Sequence, residues 1–454
     1  MTEITVNMQC PIKTRKKTIY ILNLIASITG LKFRISEDNA DIGYGNTAAN
    51  CSLYIPTIEY EINLRDWQLR NNKSRLVLPG FIPDDAILLN KSSINIDIFS
   101  IMYNYLVTGL ENHRNPIWTP DRIKTNIYFI YPFFESYIVY FLDVLKRSNI
   151  IPADFKRVSP WPDNADFAVG LSHDIDIFKR KILSSFVILA KSVYSDEIHG
   201  GLKGSITGLA DSIKSTFSHK PNPYRMIDRW LDIDMNSTLF IYAGDRQSAK
   251  DPTYKFKDVY KILSKCKNCR YKIALHNGIG TWSNKESLED YQNKLSQIFQ
   301  TAIDGLRPHY LDCTFPDFWK SAASFGYSSS AGSDIIPGYT SGLDFPFFGF
   351  DFETGESLDI LEIPITIMDC ALLSIKDKAI RENTIDTMIR TCRANHSLLV
   401  LDWHMRTIYE PDFPGWYEAY CYILKKAESA EAYIASLDEI NRRWRNNCAS
   451  VFLS

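Results

Sequence analysis

The chain carries no excess of either charge. Its 51 Lys and Arg stand against 53 Asp and Glu, a formal net charge of −2, which leaves no basic footprint of the kind that binds nucleic acid. Long apolar runs are missing too. The most apolar stretch, Ile127 to Leu145, is interrupted by Pro132, Glu135 and Asp143, which suits a buried helix better than a membrane span. No integral membrane segment is expected. The first seventeen residues contain Lys13, Arg15, Lys16 and Lys17 but no apolar core of signal-peptide type, so the expected location is cytoplasmic.

A disulfide framework is also absent. Nine cysteines scattered from Cys10 to Cys448 are odd in number and do not suit a small cross-linked secreted domain, so they read as reduced thiols. Cys266 and Cys269 form a C-x-x-C. Without a second pair or histidines at matching spacing, they read as two thiols at a helix end.

What remains is an ordinary globular balance, 45% hydrophobic and 23% charged over 454 residues, with room for two domains. A Pro-rich join, Val158 to Asp163, marks a change of pattern near residue 155. Before it, strand-like segments such as Ser52–Ile55 and Ser74–Leu78 precede amphipathic stretches at Ile94–Leu110 and Phe133–Leu145. Residues 1–155 are therefore expected to form an N-terminal mixed α/β accessory domain. No ligand cluster appears there, and His113 reads as a solvated loop residue.

From 156 to 454 short apolar strands alternate with helices, the pattern of a parallel sheet or barrel. Strands are expected at 167–171, 237–242, 271–275, 306–310, 327–331, 361–367 and 397–401. A helix is expected over Lys285–Ile303, opened by a Ser283/Glu286 capping box, and another over Asp377–Arg393 with Ile380, Ile385, Met388 and Cys392 on its buried face. Residues 196–223 are rich in Gly and Ser. They read as an insertion or flexible lid, with His199 and His219 solvated.

Polar residues gather at the strand ends. In "GLSHDIDIF" Asp174 and Asp176 follow the first strand; His276 follows the third in "KIALHNG"; Arg307 and His309 lie in "GLRPHYLD"; His404 ends "LLVLDWH". In a β/α barrel the carboxyl ends of all strands share one face, so these residues are expected to converge. Two histidines and a carboxylate make the ligand set of a catalytic metal that keeps a position open for water. A further carboxylate can then serve as base and a further histidine as acid. Taken singly, each is more often a strand-end residue bonded to backbone, but four strand ends doing so together favour a site.

On these motifs the chain resembles the polysaccharide deacetylase superfamily, of NodB-homology or carbohydrate esterase family 4 type, and in particular a branch with an HDxD motif and an extra N-terminal domain. The resemblance covers about residues 165–425 and includes the long segment "GLDFPFFGFDFETGESLDILEIPITIMD" at 342–369. It implies a distorted (β/α) barrel and a hydrolase that removes acetyl groups from an N-acetylated sugar or glycan with a divalent metal ion, zinc first among the candidates. By this likeness Asp174 matches the base, Asp176 and His276 match metal ligands, Arg307 the arginine that orients the base, and His404 the acid.

Two positions depart from the pattern. Where the family has a second histidine four residues after the first, this chain has Gly280. His309, at an adjacent strand end, is the expected replacement ligand, with Asn277 the alternative oxygen donor or a substrate contact. Asp402 stands where leucine is usual, and two readings apply: a partner of His404, or a solvated strand-end carboxylate. Tyr310 and Trp403 are the expected sugar-stacking residues. Two alternatives remain, a hydrolase of another C–N bond such as a cyclic amide, and an inactive glycan-binding protein.

Overall fold

The computed structural model describes residues 2–45, 50–58, 61–63, 68–70, 75–77, 93–113, 132–195, 198–218, 222–224, 230, 234, 236–244, 246–254, 256–263 and 271–452. The Cys266/Cys269 pair and His219 lie outside them.

Strands β1 (Glu3–Gln9), β2 (Lys32–Ile35), β3 (Ala40–Gly45) and β4 (Cys51–Pro56) form a parallel sheet in the order β2-β1-β3-β4. Ile4 and Val6 on β1 are buried, two residues apart as one face of a strand requires. Helix Ile12–Thr29 crosses from β1 to β2 and stops at Gly30, whose φ of 74° suits glycine. Strands β5 (Glu61–Asn63), β6 (Gln68–Arg70) and β7 (Arg75–Val77) pair antiparallel. Helices Ile98–Glu111 and Phe133–Arg147 follow, the first capped by Asp97, which accepts from Ser100 N at 3.0 Å.

His113 is a correction. It is buried at the end of its helix, with Nδ1 2.8 Å from Leu110 O and its ring 4.9 Å from that of Phe315. Burial against an aromatic ring removes it from the solvent expected for a polar loop.

The second sheet holds β8 (Ala168–Ile175), β9 (Thr238–Tyr242), β10 (Lys272–Asn277), β11 (Gly305–Pro308), β12 (Tyr327–Ser328), β13 (Phe347–Phe350), β14 (Ser357–Glu362), β15 (Ile367–Met368), β16 (Leu398–Asp402) and β17 (Tyr433–Ser436). Its order is β13-β14-β12-β11-β10-β9-β8-β16-β15, with β17 also on β8. Only the β13–β14 pair is antiparallel. One piece of chain bridges from β14, second from one end of the sheet, to β15 at the other. β14 pairs with β12 and β15 with β16, and between them Ile363 N bonds Ser328 O at 2.8 Å, Ile365 N bonds Ala331 O at 2.8 Å and Thr366 N bonds Val400 O at 3.0 Å. The result is the expected distorted β/α barrel.

Strands run further than their apolar runs suggest. β8 continues to Ile175 and β10 to Asn277, so Asp174 and His276 stand within strands rather than after them. Their neighbours keep the ladders going, Asp174 opposite Phe240 and His276 opposite Tyr242 and Arg307. A buried polar side chain does not end a strand whose backbone groups are still paired.

Two helix expectations shift. Lys285–Phe299 is capped by Asn284, which accepts from Ser287 N at 3.0 Å, in place of Ser283. In Lys378–Asn395 the side chain of Ile380 is exposed, because at about 100° per residue it lies to the side of the face that buries Ile385, Met388 and Cys392. Most of the Gly/Ser-rich segment is a helix, Gly201–Phe217, packed beside helix Ile182–Lys191 and not the irregular loop its composition suggests. A Cβ on Gly204 would fall 1.8 Å from Pro411 O, and one on Gly208 would meet the Arg180 guanidinium at 2.4 Å. Spaced four apart, these glycines form one packing face.

One hydrophobic cluster extends from Ile4 to Val451. Tyr20 donates to Phe348 O at 2.7 Å and Tyr103 to Phe352 O at 2.9 Å, which ties the first sheet's helices to the β13–β14 hairpin. Among the described residues no helix is long and apolar enough to cross a membrane.

Candidate metal centre

Asp176 lies just past the end of β8, and three histidines surround it. Its Oδ1 is 3.2 Å from His276 Nε2 on β10 and 3.5 Å from His309 Nε2 just after β11, while its Oδ2 is 3.1 Å from His404 Nε2 just after β16. Two strand-end residues and one in-strand residue thus meet a fourth, as convergence at the carboxyl ends predicts.

The histidines are held from behind. His276 Nδ1 is 2.8 Å from Arg307 O, and His309 Nδ1 is 3.2 Å from Asp251 Oδ1. Each contact fixes the ring and leaves Nε2 toward Asp176, the arrangement that supports metal-bound imidazoles. Asp251 is itself fixed, accepting from Ser248 N at 2.9 Å and Ile279 N at 3.1 Å.

The donor set fits a single divalent ion. Asp176 Oδ1 and His276 Nε2 are buried without a hydrogen-bond partner, although buried polar atoms are nearly always satisfied. One ligand atom each from Asp176, His276 and His309 lies within 4.8 Å of the others. The 3.2 and 3.5 Å separations from Asp176 are close to the roughly 3.4 Å edge of a tetrahedron with bonds of about 2.1 Å. Asp174, Asp176 and His404 form a second group of the same compactness, so Asp176 belongs to both.

Protonation follows the charges. Burial would raise the Asp176 carboxyl, but the surrounding histidines hold it well below the usual range. Burial would lower His276, and the carboxylates of Asp174 and Asp176 raise it instead. The pocket therefore favours a cation in contact with Asp176, whether a proton on imidazole or a metal in its place.

Asp174 takes a different role. Arg307 Nη1 donates to its Oδ1 at 2.7 Å, and its Oδ2 is 3.6 Å from His276 Nε2. Burial raises its pKa, and Arg307 with His276 lowers it further than burial lifts it. Arg307 is fully buried, donating also to Ser329 O at 2.9 Å and Ser172 Oγ at 2.9 Å, with its guanidinium 3.9 Å above the Phe240 ring. Its Nη1 lies 2.8 Å from Asp402 Oδ1 as well. Asp402 is thus buried, which excludes the solvated reading; its ion pair is with Arg307, and His404 acts on it by charge.

Three residues that the sequence reading did not single out complete the site. Asp369, directly after β15, accepts from His404 N at 2.8 Å and lies 2.9 Å from His404 Nδ1. Burial would lower His404, and Asp369 and Asp176 raise it well above the ordinary histidine value. Arg406 Nη1 reaches Asp176 Oδ2 at 3.2 Å. Asp251 is the third, behind His309. Asp369 and Arg406 stand beside the quoted motifs, at the end of "EIPITIMD" and two residues after His404, and that proximity is the one signal available.

A cavity of about 560 Å³ opens on the site, lined by Asp176, His309, Tyr310, Arg406, Lys250 and Tyr254 among others. Tyr310 is half-exposed, has a φ of 60°, and its ring centroid is 4.6 Å from that of His309. Trp403 is not brought to this cavity: it is fully buried, 5.1 Å from the Tyr420 ring. Neighbours on a strand point to opposite faces. Asn277, next to His276, is buried and donates to Thr281 Oγ1 at 3.0 Å, tying the turn that follows β10. Gly280 in that turn has a φ of 73° and donates its N–H to Asp312 at 2.8 Å.

No protein-family model matches the chain, and no curated protein matches it. Among solved structures it is similar to PuuE allantoinase, with 14% identity over 65% of this chain and 96% of that one and a TM-score of 0.42. It is also similar to a probable polysaccharide deacetylase from Pseudomonas aeruginosa PAO1, with 13% identity over 64% and 95% and a TM-score of 0.41. A CE4 family pseudoenzyme from Bacillus anthracis follows, with 10% identity over 60% and 65% and a TM-score of 0.30.

Proposed function

We propose that the chain is a divalent-metal-dependent hydrolase, with zinc as the ion, that removes the acetyl group of an N-acetylated sugar or glycan precursor in the cytoplasm. One observation carries this reading: Asp176 Oδ1 and His276 Nε2 face each other at 3.2 Å, buried and without a hydrogen-bond partner, beside an Arg307-bound carboxylate. Asp176, His276 and His309 would hold the ion. When bound, it would polarise the acyl carbonyl and ease deprotonation of water.

The protein's own groups supply the proton transfers. Asp174, kept ionised by Arg307, accepts a proton from the attacking water. His404, oriented through Nδ1 by Asp369, presents Nε2 to the site and protonates the departing amine. Arg406, beside Asp176, adds positive charge where the tetrahedral oxyanion develops. Tyr310, half-exposed at the cavity wall, offers an aromatic face to a sugar ring. Residues 1–155, with their own parallel sheet, serve as an accessory unit to the barrel of 156–454.

The test is metal content and acetate release from an N-acetylated sugar panel, for the wild type beside His309→Ala. About one metal per chain with acetate release, both lost in the variant, is the expected result. A wild type that stays metal-free and silent with added zinc or cobalt would overturn the reading in favour of a glycan-binding protein.

A further inference from the structure

Helices Ile182–Lys191 and Gly201–Phe217 are inside out. The first buries Ser185 alone, and the second buries Gly204, Ser205, Gly208 and Ser212. Their packing face is made of small and hydroxyl residues, with Arg180 reaching into it to bond Ser212 Oγ at 3.2 Å and Asp412 at 2.7 Å. The large apolar side chains point the other way. Leu183 is 77% exposed, Tyr194 91% and Phe217 81%, and Phe186, Val187 and Ile206 are exposed with them. Half of the exposed large apolar residues among those described fall between Ile182 and Phe217, so this is a patch and not scatter.

Charge narrows what covers it. Between residues 179 and 218 the sequence has Lys179, Arg180, Lys181, Lys191, Lys203 and Lys214 against Asp196, Glu197 and Asp211. Arg180 is tied to Asp412 inside the fold, and Asp211 accepts from Tyr409 OH at 2.8 Å and lies 3.8 Å from Lys214 Nζ, which it offsets in part. The five lysines are exposed. An apolar helical face flanked by lysines is the composition of a helix lying in the interface of an anionic bilayer. At 10 and 17 residues both helices fall short of the roughly 20 needed to span one. A two-fold contact with a second copy would instead set the same lysines against each other.

We propose that the helix pair Ile182–Lys191 and Gly201–Phe217 seats the protein on an anionic lipid bilayer, with Leu183, Phe186, Val187 and Phe217 entering the interface and the lysines meeting headgroup phosphates. Lys179, Lys181 and Ser184 also line the cavity over Asp176 and His309, so the seat adjoins the mouth of the candidate site. The proposal does not depend on the chemistry of that site.

The test is co-sedimentation of the full chain with vesicles of phosphatidylcholine alone and of phosphatidylcholine with roughly one-third phosphatidylglycerol. The expected result is binding to the anionic vesicles that weakens with salt, and that falls at least about tenfold in Phe186→Glu/Val187→Glu with an unchanged melting temperature. If that variant misfolds, Leu183→Ser/Phe217→Ser is read in the same way. Binding to neither vesicle, or equal binding by a folded variant, would overturn the proposal. So would self-association that the variant abolishes without any vesicle binding, which would assign the face to a second copy.

Discussion

Arg307 Nη1 stands 2.7 Å from Asp174 and 2.8 Å from Asp402, one nitrogen shared between two buried carboxylates. Where one cation serves two acids, the second acid weakens the hold on the first.

The two acids should therefore titrate apart, Asp174 below its ordinary value and Asp402 above it. Burial, opposed by Arg307, raises the Asp402 carboxyl to about 7. Its folded value lies above the unfolded 3.8, so its contribution to stability is present in acid and is lost as pH rises through about 7. Asp402→Asn should flatten the dependence of melting temperature on pH between about 4 and 7. It should leave the acid limb of the activity profile in place, because Asp402 is already neutral at the lower pH where Asp174, held down by Arg307, takes up its proton. A shifted acid limb would mean that Asp402 is still ionised there.

Asp174→Asn should keep its metal and lose turnover by at least about a hundredfold, since only the proton acceptor is removed. Metal analysis and acetate release on one preparation decide it; near-normal activity would exclude Asp174 as the base.

Asp251 touches His309 at 3.2 Å and no other member of the proposed ligand set. Asp251→Ala should weaken metal binding by about 10–100-fold, read by competition with a chromogenic chelator. An affinity equal to the wild type would remove His309 from the ligand set or Asp251 from behind it.

Asp412→Ala should cost about 3–5 kcal/mol in urea unfolding, the range for stranding a buried charge. The Arg180 side chain is fully buried, and Asp412 also accepts from Tyr224 OH at 2.6 Å. A loss below about 1 kcal/mol would mean that Arg180 finds water or another partner.

The barrel and most of its site were legible because burial writes itself into composition. The apolar runs at 167–171, 237–242 and 397–401 coincide with β8, β9 and β16, and the motif residues at their ends do meet. Strand lengths were harder to read, since Asp174 and His276 look like the ends of strands that the ladders carry onward. Asp251 and Asp369 have no periodic signature, and only tertiary folding brings them behind His309 and His404. The glycines at 204 and 208 give no sign of their helix for a related reason. A glycine that admits a neighbour's carbonyl or guanidinium looks the same in sequence as one that loosens a loop.

The barrel's seam has a further consequence. Residues 357–368 close the wall, and the next residue is Asp369, which grips His404. Hoop and hinge pin are one length of chain. A substitution that slackens the seam at Ile363 or Ile365 would move the carboxylate against its imidazole, so a fault in masonry would be felt as a change in acidity.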